Sequence, residues 1–236
     1  MIAGLQKMTL LDYPGKVACT VFLQGCNFRC PFCHNASLLS GKAESPIDTE
    51  QLLTFLKKRQ GLLDGVCITG GEPTLCPDLP NLMQQIKALG FSVKLDTNGS
   101  NPGVLKDLVG AGLVDYVAMD IKNCPQRYKE TAGCPGLELS KIEESMVFLM
   151  EGTVEYEFRT TVVQEYHSSE DIRQIGLWFQ KLSLQHPVEK YFLQSFVDRD
   201  SVLSGDLHAP TEAQLQAMKN AITLYVRHTE IRGSQA

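Results

Sequence analysis

The feature that most constrains this chain is a pattern that recurs six times. A short apolar or β-branched run ends in a polar cluster and gives way to a helical period. Runs at 17–23, 65–69, 91–95, 114–119, 155–163 and 190–196 have the composition of strands, and the first, nearly continuous in apolar residues, suits a strand covered on both faces. Helical spacing follows at about 48–59, 79–89, 102–111, 140–150 and 168–184, and again from 211. Asp48 with Gln51, and Ser168 with Asp171, have the spacing of reciprocal helix caps. Repeated β–α units call for parallel strands joined by right-handed crossovers. Six units are fewer than the eight of a closed (β/α)8 barrel. The pattern therefore predicts an α/β fold, a partial (β/α)6 open barrel with a lateral gap, and periodicity alone leaves a doubly wound sheet beside it. Apart from a break at Ser45-Pro46, no Pro/Gly/Ser linker divides the chain, which predicts a single domain over 1–236. Within it, 1–16 is a lead-in with the turn Asp12-Tyr13-Pro14-Gly15, 17–196 is the core, and 197–236 is a C-terminal helix with a tail that frays from Gly233.

Composition narrows the function classes. The net charge of −5 gives no global basic field for nucleic acid. Lys57, Lys58 and Arg59 form one dense basic run, which reads as a solvated helix end. The N-terminus lacks a basic segment followed by a long apolar core, and no apolar run approaches bilayer length. These features predict a soluble cytoplasmic protein without a membrane partner. In that compartment the eight cysteines stay reduced, so a disulfide framework is not expected. Cys19 and Cys67 fall in strand-like runs and read as buried apolar residues. Cys124 and Cys134 lie in a loop at a spacing that matches no common metal site.

Chemistry collects where parallel α/β folds place it, at the C-terminal ends of the strands. The first run ends in Cys26, Cys30 and Cys33, at a Cys-x3-Cys-x2-Cys spacing with Phe32 before the last cysteine and His34-Asn35 after it. The second ends in Gly70-Gly71-Glu72-Pro73, the third in Asp96-Thr97-Asn98-Gly99, and the fourth in Asp120-Ile121-Lys122. Three thiolates are one fewer than a structural zinc site or a simple ferredoxin cluster requires. A cubane held by three cysteines keeps one iron for a ligand that is not protein. Each later cluster admits two readings. Gly70-Gly71 is a tight turn or a close backbone approach to a ligand, with Glu72 receiving an ammonium group. Asp96-Thr97 is an Asx turn or a polar contact to a ribose or small cation. Asp120 and Lys122 pair with each other, or Lys122 receives a ligand carboxylate. Together the groups describe a ligand with an amine, a carboxylate and a ribose, which are the groups of S-adenosylmethionine.

On these residues the chain resembles the radical S-adenosylmethionine superfamily, through Cys26-x3-Cys30-x2-Cys33 and Thr69-Gly70-Gly71-Glu72-Pro73. Leu11-Asp12-Tyr13-Pro14-Gly15-Lys16, Cys33-His34-Asn35, Leu95-Asp96-Thr97-Asn98-Gly99 and Met119-Asp120-Ile121-Lys122 resemble its glycyl-radical-enzyme activases, nearest the type that activates anaerobic ribonucleoside-triphosphate reductase. The resemblance spans about 4–196. It implies the radical S-adenosylmethionine type of partial barrel and one 4Fe–4S cluster, because no cysteine-rich insert lies between Cys33 and Gly65. It also implies reductive cleavage of S-adenosylmethionine to methionine and a 5′-deoxyadenosyl radical, which takes a hydrogen from a glycine of a large partner enzyme. A flavodoxin or ferredoxin is the implied electron donor.

The implied roles are as follows. Cys26, Cys30 and Cys33 ligate three irons; Gly70, Gly71 and Glu72 hold the methionine amine; Lys122 holds its carboxylate. Phe32 and Asn35 belong to the cofactor site. Asp96, Thr97 and Asp120 resemble a polar or monovalent-cation site of the pyruvate formate-lyase activase branch. Arg159 is a carboxylate or ribose contact, or a salt-bridged barrel arginine. Gln194 and Phe196 lie on the last strand, and the histidine that accompanies this position in that branch has no sequence counterpart here. The lead-in around Asp12 and Tyr13 lines the entrance for the glycine loop, or is a hairpin with no such role. The alternatives are an activase of the pyruvate formate-lyase type, a small-molecule enzyme such as a 7-carboxy-7-deazaguanine synthase, and a zinc-binding interaction domain using the three cysteines and His34.

Overall fold

The computed structural model describes residues 1–39, 46–183, 187–198 and 202–233. Ser45, the end of the helix expected to reach 184, and the tail beyond Gly233 lie outside the described residues. The chain forms two compact units: Met1–Asn27, Ser37–Thr97 and Asn101–Ala118 in the first, and Phe28–Ala36, Asn98–Ser100 and Met119–Ala236 in the second.

The first unit carries β1 (Ile2–Thr9), β2 (Ala18–Leu23), α1 (Thr49–Lys57), β3 (Gly65–Gly70), α2 (Leu79–Ala88), β4 (Ser92–Thr97), α3 (Pro102–Gly110) and the first residues of β5 (Tyr116–Asp120). β1 was not foreseen as a strand. Its sequence, Ile-Ala-Gly-Leu-Gln-Lys-Met-Thr, has no sustained apolar alternation, and it runs antiparallel to β2, pairing Ile2 with Leu23 and Thr9 with Ala18. The register places the β1–β2 connection at the strand-start end of β2, whereas Cys26 follows its other end. There Tyr13, 2% exposed, packs on Ala18 and Tyr116. Asp12 and Tyr13 therefore do not line an entrance at the cysteine end of this unit; the lead-in is a hairpin. β2, β3 and β4 run parallel in chain order, with Leu23 opposite Gly70 and Ile68 opposite Leu95. The continuous apolar runs are buried as expected, with Ala18, Cys19, Val21, Val66, Cys67, Ile68 and Leu95 all in the core. α1 starts with the expected reciprocal cap, Asp48 Oδ1 accepting from Gln51 N at 2.6 Å.

The second unit carries α4 (Tyr128–Thr131), α5 (Leu139–Met150), β6 (Glu155–Val162), α6 (Ser169–Leu182), β7 (Val188–Ser195), α7 (Glu212–Ile222) and β8 (Val226–Arg232). Ser168 and Asp171 cap α6, and Thr211 caps α7 with Gln214. In its core Phe158 stacks on Phe179, which meets the Tyr191 ring edge to face. β8 replaces the expected helix end and tail. It pairs parallel with β7, Val188 with Val226 through Gln194 with Arg232. Its sequence, Val-Arg-His-Thr-Glu-Ile-Arg, is half exposed and so lacks the apolar run that marks a covered strand. In neither unit does strand order reverse, as it does in a doubly wound sheet. No helix among the described residues is long and apolar enough to cross a membrane.

β8 is tied down electrostatically. Arg232 grips Glu157 of β6 with two hydrogen bonds of 2.8 and 2.9 Å and lies 3.4 Å over the Phe192 ring. Glu157 is 1% exposed, so an unpartnered carboxylate there is costly. Arg232→Met should destabilise the protein by about 3 kcal/mol in urea unfolding. The double variant with Glu157→Gln should recover most of that loss, because it removes the stranded charge.

Candidate active site

In the first unit the Gly-Gly-Glu turn is spliced to the start of the cysteine loop. Gly71 N donates to Leu23 O at 2.9 Å, and Glu72 N donates to Gly25 O at 2.7 Å. A Cβ on Gly70 would stand 2.3 Å from Leu23 O, and one on Gly71 would stand 2.0 Å from Gly25 O. Gly70 also has φ +121°. The glycines thus let backbone meet backbone immediately before Cys26. Glu72 is 1% exposed, and its Oε1 accepts from Thr74 N at 3.1 Å, Thr74 Oγ1 at 2.6 Å and Thr97 Oγ1 at 2.7 Å. Asn101 Nδ2 donates to Thr74 Oγ1 at 3.0 Å. Thr97 was expected at the site. Thr74 and Asn101 were not, because a hydroxyl and an amide flanking a turn carry no distinctive spacing.

Asp96, at the end of β4, is ion-paired with Lys94 two residues earlier on the same strand face. A lysine inside a strand run is ordinarily exposed, so the sequence does not mark Lys94 as part of a site. Its side chain is 1% exposed.

In the second unit Cys30 and Cys33 form a tight turn, Cys33 N donating to Cys30 O at 3.0 Å. The backbone that leads into it lies on the segment after α4. Arg29 N donates to Ala132 O at 2.9 Å, and the Cys30 thiol is 3.7 Å from the same carbonyl. Gly133, at φ +58°, approaches so closely that a Cβ would stand 2.1 Å from Arg29 O. Phe32 is buried against Tyr166 and His167, each ring 6.0 Å away. His167 Nε2 donates to Lys122 O at 2.8 Å, and its Nδ1 receives Val163 N at 3.1 Å. Burial holds this imidazole below its ordinary pKa. Asn35 follows in a half-buried turn. The His34 ring stacks on Phe196 at 5.3 Å and 10°, with Nε2 2.8 Å from Val197 O. The cysteine loop thus brings a histidine to Phe196 that the sequence around Phe196 lacks. Gln194 lies on β7, opposite Arg232.

Asp120 and Lys122 do pair, at 2.9 Å, and Arg159 joins them through Nε and Nη2, both 2.9 Å from Asp120 Oδ1. Burial opposes the charge on Asp120, but Arg159 and Lys122 outweigh it and hold the carboxyl below the usual range. Burial likewise opposes the charge on Lys122, and Asp120, then Cys30, hold its ammonium above the usual range. Lys122 therefore stands ready as a charged donor in the neighbourhood of Cys30.

The three cysteines are free thiols, and their soft donors suit an iron–sulfur cluster. Among the described residues no three His, Cys, Asp or Glu side chains converge as a single metal ion requires. His34 is engaged with Phe196 and Val197. A monovalent cation fits less well. Asp96 already faces Lys94, and Asp120 already faces Lys122 and Arg159. Cys124 is buried with its thiol 3.6 Å from Asp171 Oδ1.

Cys26 follows β2, the buried carboxylate of Glu72 follows β3, and β4 and β5 each end in a charged residue, Asp96 and Asp120. Residues 20–175 match the model of the Radical SAM superfamily, and the chain belongs to it. It is a radical S-adenosylmethionine oxidoreductase that uses a 4Fe–4S cluster and S-adenosylmethionine. It is 32% identical to a putative glycyl-radical enzyme activating enzyme of Methanocaldococcus jannaschii, over 98% of this chain and 95% of that one. It is 31% identical to the 7-carboxy-7-deazaguanine synthase of Hyperthermus butylicus, over 73% of this chain and 66% of that one. The structure of Streptococcus suis SuiB bound to S-adenosylmethionine shares the fold at a TM-score of 0.68 and 13% identity, over 91% of this chain and 52% of that one.

Gly71→Ala should force the turn off Gly25. We expect destabilisation on the order of 2–3 kcal/mol in thermal unfolding and weakened S-adenosylmethionine binding by equilibrium dialysis. The Asp120 triad makes a pH prediction. A carboxyl held low contributes stability above its unfolded pKa of about 3.9, and the contribution fades as pH falls toward the folded value. A lysine held high contributes below its unfolded pKa of about 10.4 and loses the contribution as pH rises. The stability difference between wild type and Asp120→Asn in urea should thus be flat from about pH 5 to 9 and shrink below about pH 4.

Proposed function

We propose that the chain is a glycyl-radical-enzyme activase acting as one catalytic domain over 1–236, with anaerobic ribonucleoside-triphosphate reductase as its partner. The observation that carries this reading is similarity along 98% of the chain to a protein named as a putative glycyl-radical enzyme activating enzyme. The lead-in Leu11-Asp12-Tyr13-Pro14-Gly15-Lys16 and the strand end Met119-Asp120-Ile121-Lys122 support the choice of partner.

In this reading Cys26, Cys30 and Cys33 hold three irons, and Phe32 and Asn35 shape the loop that carries them. Glu72, oriented by Thr74 and Thr97, receives the cofactor's amine. Gly70 and Gly71 place it beside Cys26. Lys122, kept charged by Asp120, receives the carboxylate, and Arg159 holds Asp120 from the other side. Asp96 and Thr97, at the end of β4, form the polar strand end beside the cofactor. When bound, the cluster and S-adenosylmethionine supply a one-electron cleavage that yields methionine and a carbon-centred radical. The chain's own work is to hold the charged ends of the cofactor at buried, prepaired groups. A flavodoxin or ferredoxin supplies the electron, and the setting is cytoplasmic, with no nucleic acid or membrane involved.

A second reading, a small-molecule enzyme, is favoured by the similarity to the deazaguanine synthase over 73% of this chain. The test is to reduce the reconstituted protein anaerobically with S-adenosylmethionine and candidate glycyl radical enzymes. A glycyl radical signal in electron paramagnetic resonance on anaerobic ribonucleotide reductase is the expected outcome. A signal on a pyruvate formate-lyase type enzyme alone would move the partner. Cofactor cleavage with no protein radical on any candidate would overturn the activase reading.

A further inference from the structure

Lys94 is a buried charged group that the proposed function does not use. It lies in the interior of β4, Ser92–Thr97, with a side chain 1% exposed. Its ammonium has two partners among the described residues, the Asp96 carboxylate and Cys67 Sγ at 3.9 Å. A thiol is a weak acceptor, so Asp96 carries the pairing. A buried ammonium removed from its carboxylate is strongly destabilising, and the reverse holds for the carboxylate. The pair is therefore held together by mutual need. Parity along the strand puts Lys94 on the same face as Asp96, one layer deeper. Thr97, the next residue, donates to Glu72 Oε1 at 2.7 Å. A displaced Asp96 would consequently disturb the strand end that orients Glu72.

We propose that Lys94 is the resident cation of the Asp96 strand end, a positioning residue that makes cofactor binding independent of alkali ions. Asp96 is charge-balanced from within the strand, so a free sodium or potassium ion there would compete with a tethered ammonium at high effective concentration. The inference rests on the reading that S-adenosylmethionine binds at these strand ends. It does not depend on which partner receives the radical.

The test uses the anaerobically reconstituted holoenzyme and measures the S-adenosylmethionine Kd by equilibrium dialysis. Buffers contain potassium, sodium or tetramethylammonium chloride at equal ionic strength. Wild-type affinities should agree within about twofold across the three salts, well under the tenfold that about 1.4 kcal/mol would give. Lys94→Met should lose about tenfold or more in tetramethylammonium and regain most of it in potassium or sodium, with iron content unchanged. A wild-type enzyme that loses tenfold affinity in tetramethylammonium overturns the proposal. So does a Lys94→Met variant that binds normally in tetramethylammonium, or one that alkali ions do not rescue. If Lys94→Met does not fold, the wild-type salt series decides alone. Asp96→Asn separates the two layers of the argument. Unchanged affinity in that variant would show that the cofactor does not depend on Asp96, which overturns the underlying placement rather than the role of Lys94.

Discussion

Two backbone hydrogen bonds, Gly71 N to Leu23 O and Glu72 N to Gly25 O, are the constraint on which the first unit's site depends. They require that no side chain stand at Gly70 or Gly71, because a Cβ would overlap the carbonyls of Leu23 and Gly25. Removing the side chains lets β3 end directly against the residues that precede Cys26. A carboxylate carried on that turn is then fixed relative to the start of the cysteine loop before any ligand arrives. Its three hydrogen bonds at Oε1, from Thr74 and Thr97, complete the orientation. Preorganisation of this kind spares the cofactor the cost of ordering its own receptor.

The same economy governs charge. Buried ions are costly unless paired, and the strands of this protein carry theirs in pairs. β4 pairs Lys94 with Asp96, and the end of β5 pairs Asp120 with Lys122 and Arg159. β6 pairs Glu157 with Arg232 of β8. Lys94 and Asp96 stand two residues apart on one face, so strand geometry brings them together, whereas Arg159 reaches Asp120 from β6. Such pairs keep charged groups available at a site without leaving any of them unbalanced. They also give each of these carboxylates a cation from the chain itself.

In the second unit the cysteine loop is shaped by segments distant in sequence. Ala132 and Gly133 take the backbone of Arg29, while Tyr166 and His167 take the ring of Phe32. His167 also holds the carbonyl of Lys122. One imidazole therefore touches both the loop that carries two thiols and the strand end that carries the ammonium. His34 stacks on Phe196 and contacts Val197 O, so its ring is held by residues far along the chain.

The sequence by itself determined the helices and covered strands, because hydrophobic period and capping residues act over a few neighbours. Asp48 with Gln51 and Ser168 with Asp171 are capped as their spacing requires. It also determined the family, through Cys26, Cys30, Cys33 and Gly70-Gly71-Glu72, since soft thiols and side-chain-free turns are readable at fixed spacing. Tertiary structure alone decided the rest. β1 and β8 are half-exposed strands whose order comes from pairing with β2 and β7, which no local pattern encodes. Lys94, Gly133, His34 and His167 acquire their roles from partners that are burial-dependent or far away along the chain. The physical reason is range: propensity and spacing are local, whereas the balance of a buried charge depends on what the fold places against it.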